Sequence, residues 1–394
     1  MIYADWAATA PLCPAARDVL RQWLEEPLPA NPSSVHSFGM DASDRLSSSR
    51  QVLARAAFPE GEVTFVSGGT EGLSLAVYSL VQHSLASGRR RVVLSPLEHP
   101  AVREAAAAFA LPCGMTVEEC AVTPDGTVDM ADFAARMGPD LAFAAVMAVQ
   151  NETGVIQPVE ACASLAHGCG AYLLTDAVQA AGHVFLPAEA DMAVISGHKF
   201  GAPAGTGAVL HRIPLFPLQK GGGQESGYRG GTENLPGICA MAAAVSCWPE
   251  MIRDSEERLR PLRDRLEEAF LRRMASCGIP VTAVGGRAAR IGTVSLLVFP
   301  DPAGPLGENL VLSADLAGLA VSAGSACHSG SPEPSRALLA MGFPPSEAQR
   351  AVRLSFGPGT TAAEMEASYR ILGDTVVRLS LGIPDKQGNI QNIV

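Results

Sequence analysis

Between residues 60 and 210 the chain alternates short apolar runs with alanine-rich stretches, and each run ends in a cluster of Gly, Ser, Asn or His. The runs 63–66, 91–95, 141–147, 171–175 and 192–196 are too short for helices and are bounded by turn or polar residues. They predict strands buried in a mainly parallel sheet. The pattern is that of βαβ units in a doubly wound α/β domain, whose ligand crevice forms just past the C-terminal ends of the strands. The segments SGGTEG, LEHP, NETG, DAVQ and SGHK fall at those ends. Near residue 255 the pattern changes: Leu259, Leu262, Leu266 and Phe270 share one helical face with charges around them, which predicts a helix leading into a second domain. Strand-like runs at 293–299 and 352–355 and an amphipathic helix over about 362–379 follow.

A chain of 394 residues is long enough for two cores, one large and one small. Hydrophobic residues make up 47% and charged residues 18%, a balance that excludes a disordered chain. No apolar stretch reaches the roughly 20 residues a membrane span needs, and the N-terminus lacks the order of a signal peptide, so the expectation is a soluble cytoplasmic protein without a membrane partner. The net charge of −11 argues against direct contact with nucleic acid, since that contact depends on Lys and Arg displacing counterions. Nine cysteines, scattered without a C-x-x-C pair or zinc-like spacing, suggest neither a disulfide framework nor a metal site.

Lysine is scarce: Lys199, Lys220 and Lys386 are the only three. Lys220 precedes a Gly-Gly-Gly loop and Lys386 sits in a polar tail, whereas Lys199 ends the run SGHK and stands where a desolvated amine suits Schiff-base chemistry. About 20 residues earlier, Asp176 ends another run. A carboxylate there either caps a helix or holds a protonated heteroaromatic nitrogen. Gly68, Gly69 and Thr70 open a helix after a strand, a place where backbone N–H groups close around an anion such as phosphate, although a plain tight turn has the same sequence.

Taken together and in order, SGGTEG, EHPAV, NETGVIQP, DAVQ, SGHKFGAPAGTG, GGGQESGYRGGTEN and SAGSACHSG resemble the cysteine desulfurases, pyridoxal-phosphate enzymes of the class V aminotransferase-like group. The resemblance runs from Tyr3 to about Thr361. It implies the fold-type I arrangement, with a large pyridoxal 5′-phosphate-binding α/β domain over 14–255 and a smaller α+β domain built from 1–13 and 256–394. It also implies a homodimer with active sites at the subunit interface. Residue by residue, it makes Lys199 the Schiff-base lysine, Asp176 the partner of the pyridine nitrogen and Gln179 the partner of the ring's phenolic oxygen. His99 corresponds to the histidine that stacks on the ring and assists proton transfer. Thr70, beside Gly69, corresponds to a phosphate ligand, as do Ser196 and His198, with Thr232 supplied across the dimer interface. Asn151 and Arg353 match the pair that holds the substrate carboxylate, a role suited to a planar guanidinium.

Cys327 lies in a loop of small residues, a setting in which an exposed thiol can ionise and act as nucleophile. Cys113, Cys120, Cys162, Cys169, Cys239, Cys247 and Cys277 sit in helical or strand-like apolar contexts and are expected to be buried and inert. The implied reaction converts L-cysteine to L-alanine and leaves the sulfur as a persulfide on Cys327, for transfer to an acceptor protein such as an iron–sulfur scaffold. Selenocysteine lyase and a class V aminotransferase share most of these residues and stand as alternatives. Three positions depart from the family pattern: Gln150 replaces a more usual Asn, Ala204 a frequent lysine, and Tyr228 lies in a basic part of its loop. His328, next to the cysteine, is less usual too.

Overall fold

The computed structural model describes residues 1–26, 31–300, 304–305, 307–324 and 334–382. A seven-stranded sheet organises the first two thirds of the chain, in the order Glu62–Val66, Gly207–His211, Met192–Ser196, Tyr172–Asp176, Leu141–Ala145, Arg91–Leu94 and Thr116–Glu119. Neighbouring strands run parallel except around Gly207–His211, which is antiparallel to both of its neighbours. Every residue of Leu141–Ala145, Met192–Ser196 and Gly207–His211 is buried, as continuous apolar runs require when helices cover both faces. The two faces are visible in single strands: Val93 and Ala144 pack into one core, while Val92, Leu94 and Phe143 pack into the other. Gly69–Ser87 and Pro100–Phe109 cover the second face; Ser37–Ala57, Val159–Gly168 and Leu235–Val245 cover the first.

The predicted strands are found to within a residue or two at each end. Two strands of this sheet lie outside that pattern. Thr116–Glu119 is a half-exposed sheet edge with no apolar run, and Gly207–His211 closes a glycine-rich segment. Among the described residues no single helix is long and apolar enough to cross a membrane.

The C-terminal part holds an antiparallel four-stranded sheet in the order Ser322–Ala323, Ala351–Ser355, Val294–Val298 and Thr282–Ala283. Ile2–Tyr3 pairs with Leu319–Ala320, and Asp5 bridges to Ser355, so the N-terminal segment is stitched to the C-terminal region. From there it crosses to the large sheet, where Ala10 N–H donates to His198 O and Cys13 N–H to Gly201 O. Trp6 fixes the crossing: a Cβ at Gly357 would stand 2.1 Å from its ring, so only glycine lets the indole lie flat there.

The helix Arg260–Ser276 presents Phe270 to the C-terminal core as its periodicity predicts, with Leu262 and Leu266 partly buried beside it. The same helix also buries charge. Glu267 pairs with Arg290 at 2.8 Å and accepts a hydrogen bond from Ser295, all within the interior. Removing one partner of such a pair strands the other in a medium that cannot solvate it. Glu267→Ala should therefore destabilise the protein by about 3–5 kcal/mol, read as a lower urea midpoint with an unchanged slope. A loss within the range of ordinary surface substitutions would show that Arg290 finds water or another anion.

Candidate active site

Past the C-terminal ends of the parallel strands lies a cavity of about 340 Å³ whose polar wall includes Thr70, His99, Asn151, Asp176, Lys199 and Arg353. Gly69, Gln179, Ser196 and His198 also line it. Twelve residues were predicted for the site from sequence, and these ten converge on one space. Thr232 is exposed and is absent from that wall, and Cys327 lies outside the described residues. A larger, mainly apolar cavity of about 660 Å³ shares Ala7, Gln179 and Lys199 with the first. The smaller one brings Lys199 together with Asp176, His99, His198, Asn151 and Arg353 at the strand ends, and convergent polar groups rather than volume mark a reactive site.

Lys199 follows the strand Met192–Ser196 in a single 3₁₀ turn, Gly197–Lys199. Its Nζ donates to Ala7 O at 2.8 Å and Ala8 O at 2.9 Å, so the crossing N-terminal segment holds the amine in place. Burial and then the nearby Arg353 guanidinium push the ammonium down to about 8, against the attraction of Asp176 and Asp5. A fraction of the free amine is therefore present near neutral pH. Asp176 ends the strand Tyr172–Asp176; its Oδ1 accepts from Val178 N–H at 2.9 Å, and burial pushes its carboxyl up to about 6 despite that bond and Lys199. Gln179 donates from Nε2 to Ala7 O at 2.8 Å, tying the same crossing segment to the sheet.

His99 caps the helix Pro100–Phe109: its Nδ1 accepts from Ala101 N–H at 3.1 Å, which puts the proton of the neutral ring on Nε2. Next to it, Glu98 is fully buried. Its Oε1 accepts from Met147 N–H at 2.6 Å, and Oε2 has no hydrogen-bond partner among the described residues. Burial, with Asp176 nearby, raises its carboxyl well above the ordinary range, which favours its protonated form beside Asp176. His198 is pushed down to about 4 by burial and by Lys199, and is neutral.

Arg353 comes from the antiparallel sheet of the C-terminal part. Its Nη1 donates to Asn151 O at 2.7 Å and its Nη2 to Asp5 Oδ1 at 2.9 Å, while the buried Nε has no partner among the described residues. A buried guanidinium with a spare donor is suited to an anionic ligand. The unusual Gln150 builds the NETG turn and steadies the amide beside it. Its Oε1 accepts from Glu152 and Thr153 N–H at 2.7 and 2.8 Å, and its Nε2 donates to Asn151 Oδ1 at 3.3 Å. Tyr228 stacks edge-on against His211, and Ala204 is exposed.

Sequence reasoning missed Asp5, Glu98, Glu152 and the carbonyls of Ala7 and Ala8. Asp5 left one trace, a lone acid in the otherwise uncharged segment MIYADWAATAP. The expectation of seven buried thiols also needs correcting. Burial pushes Cys120 and Cys162 up to about 12, as inert thiols require, but Cys113, Cys169, Cys239 and Cys247 are only partly buried, and Cys277 is exposed, because the helix Arg260–Ser276 ends there and leaves it outside the core.

The family model "Aminotransferase class-V" matches residues 2–367. A relative from Gluconacetobacter diazotrophicus, called cysteine desulfurase, is 36% identical over 96% of this chain and 94% of its own length. Among solved structures, a "NifS-like protein" superposes with a TM-score of 0.84 at 26% identity, covering 95% of this chain and 98% of its own. Another, "SspA in complex with cysteine", has a TM-score of 0.75 at 26% identity and covers 92% and 100%. The chain belongs to the aminotransferase class-V family. Within that family it groups with the cysteine desulfurases, enzymes that depend on pyridoxal 5′-phosphate.

The cavity fits that cofactor. Asp176 is a buried carboxylate in need of a stronger counter-charge, which a protonated pyridine nitrogen provides. The helix Gly69–Ser87 begins without a side-chain cap, so its first N–H groups are open to a phosphate. A Cβ at residue 69 would lie 3.0 Å from Val178, and one at residue 207 would lie 2.8 Å from the backbone of Gly68, so two glycines keep that helix end close to the sheet. Among the described residues Lys199 is the one lysine on the cavity wall.

The charges around Lys199 make a directional prediction. In protein freed of the cofactor, the pH midpoint for acylation of Lys199, followed by peptide mass spectrometry, should rise in Arg353→Met and fall in Asp176→Asn relative to the parent. Equal midpoints in all three proteins would mean that burial alone sets the amine.

Proposed function

We propose that the protein converts L-cysteine to L-alanine and transfers the sulfur, as a persulfide on Cys327, to an acceptor protein. The observation that carries this reading is the convergence of Lys199, Asp176, His99, Asn151 and Arg353 on one cavity in a chain of the cysteine desulfurase group. In the proposal Asp176 faces the pyridine nitrogen and Gln179 the phenolic oxygen. Gly69, Thr70, Ser196 and His198 hold the phosphate, and Thr232 reaches the same group from a second subunit. Bound there, pyridoxal phosphate would supply an electron sink that acidifies the substrate α-carbon and lets the carbon fragment keep the electron pair of the C–S bond, so that carbon and not sulfide is the leaving group.

The chain's own residues do the rest. Arg353 and Asn151 bind the substrate carboxylate, the spare Nε of the guanidinium being the donor that awaits it. The Lys199 amine, held between two carbonyls and titrating near 8, takes the α-proton and returns it at the end of the reaction. His99 carries a proton on Nε2 for the same exchange. Cys327, as thiolate, attacks the substrate sulfur: the S–S bond of the persulfide forms, the C–S bond breaks, and the carbon fragment is protonated to alanine. Sulfane sulfur thus leaves on the enzyme and no external oxidant is needed.

A homodimer belongs to the proposal. The exposed Val35, Phe38 and Met40 form a run of apolar side chains on one segment, which a partner subunit would cover. An iron–sulfur scaffold is the acceptor suggested by the short spacing of Ser-Ala-Cys, and a cytoplasmic location rests on the sequence pattern alone. Cys327→Ser should keep the cofactor's absorbance, yet form no persulfide and release alanine at a small fraction of the parent rate, measured by amino-acid analysis and intact-protein mass. Full turnover of this variant with a thiol reductant would remove Cys327 from the mechanism.

A further inference from the structure

The loop 219–231 lies between the strand Gly207–His211 and the helix Leu235–Val245, and most of it is exposed. It is nevertheless tightly held. Its two limbs touch backbone to backbone: a Cβ at residue 230 would stand 2.5 Å from Gly221 Cα, and Gly230 N–H donates to Gln219 O at 2.9 Å. At its tip Glu225 and Ser226 both adopt left-handed backbone, with φ of 49° and 56°, a conformation that residues with a Cβ rarely take. The Glu225 side chain is buried and fully engaged. Arg50 donates to its Oε2 from Nη1 and to its Oε1 from Nη2, both at 2.8 Å, and Phe65 N–H donates to Oε2 at 2.7 Å. This fork fixes the loop to the helix Ser37–Ala57 and to the edge strand Glu62–Val66 at once. A second tie runs to the turn that opens the helix Gly69–Ser87. There Arg229 Nε donates to Glu71 Oε1 at 2.9 Å, and Glu71 Oε2 accepts from Ser67 N–H at 2.7 Å.

Thr232 follows the loop directly; it is exposed and is not on the cavity wall of its own subunit. Gln224, next to Glu225, accepts from Gly231 N–H at 3.2 Å, so the anchored tip reaches the residue before Thr232. Two strained residues and a buried ion pair are a poor way to hold a surface turn for stability alone, since glycines and an apolar side chain would avoid both strain and desolvation. We propose that Glu225 is a positioning residue: its carboxylate, bound to Arg50 and Phe65, locks the loop so that Thr232 stands outward at a fixed place and meets the cofactor phosphate of a second subunit. This rests on the dimeric reading and on the role given above to Thr232. A hydroxyl-to-phosphate hydrogen bond is short and directional, so a displaced loop loses it. The helix that supplies Arg50 also carries the exposed Phe38 and Met40 of the proposed subunit face, which puts the anchor and that face on one element. Through Arg229 and Glu71 the same loop is joined to the helix whose first turn holds the phosphate within its own subunit.

The test starts from the full-length holoenzyme and compares the parent with Glu225→Gln, Thr232→Ala and the double variant. Each is stripped of cofactor and titrated with pyridoxal 5′-phosphate and, separately, with pyridoxal, which lacks the phosphate, binding being followed by absorbance. Glu225→Gln should weaken pyridoxal phosphate by about ten- to a hundredfold, the worth of one hydrogen bond to a charged group, and leave pyridoxal at the parent affinity. Thr232→Ala should do the same. The double variant should bind no more weakly than Thr232→Ala, because both changes remove one contact. Losses that multiply in the double variant, or an equal loss for both ligands, would show a merely structural role and overturn the proposal, as would parent-like binding in Glu225→Gln. Arg50→Lys keeps the charge but not the fork; it should repeat the selective loss, and its failure to do so overturns the proposal even if Glu225→Gln does not fold. A cofactor-loaded parent that sediments as a monomer, or Thr232→Ala with parent-like affinity for pyridoxal phosphate, would instead overturn the reading beneath the proposal, and the proposal with it.

Discussion

Two backbone carbonyls, those of Ala7 and Ala8, hold the amine of Lys199, and the geometry of the site depends on that clasp. The segment that carries them is anchored at both ends. Ile2–Tyr3 pairs with a strand of the C-terminal part and Asp5 bridges to Ser355, while Ala10 and Cys13 bond to the loop just after the lysine's strand. A segment fixed this way removes water from the lysine and positions an anion, Asp5, against Arg353. Desolvation then lowers the amine's pKa and raises that of the neighbouring carboxyls, which is the separation of acid and base that proton transfer near neutral pH requires.

The two halves of the cavity have different origins. The large sheet supplies Asp176, Ser196, His198 and Lys199 from adjacent strand ends, a rigid platform suited to holding a cofactor. The antiparallel sheet supplies Arg353, and the NETG turn supplies Asn151. The cavity therefore lies where the N-terminal segment, the large sheet and the C-terminal sheet meet. Arg353 joins two of these parts, its Nη2 donating to Asp5 Oδ1 in the N-terminal segment and its Nη1 to Asn151 O in the NETG turn.

Most of the platform was legible in the sequence because its determinants are local. A fully buried strand shows itself as an apolar run, and the residues that end it stand next in the chain, so Asp176 and Lys199 could be placed without coordinates. The edge strand Thr116–Glu119 was not legible, since none of its residues is fully buried and no apolar run marks it. Gly207–His211 was hidden by the glycines before it. The misses around the site share a different cause. Asp5 and Glu98 act on partners far away in sequence, Arg353 and the Met147 N–H, and nothing near either acid announces them. Gln150 looked like a departure from a family pattern, yet its longer side chain makes two bonds to the turn that follows it. Cys327, which the proposed function makes the carrier of sulfur, was reached from sequence alone and lies outside the described residues.

If Cys327 is the thiol that receives the sulfur, each cysteine consumed yields one alanine and one persulfide at that residue. The decisive measurement is a single turnover of the purified, cofactor-loaded protein with L-cysteine and no reductant, quantifying alanine and locating added sulfur by peptide mass spectrometry. Equal amounts of alanine and of Cys327 bearing one extra sulfur are expected. A keto acid in place of alanine, or sulfur lodged on another thiol while Cys327 stays unmodified, would refute sulfur transfer through Cys327.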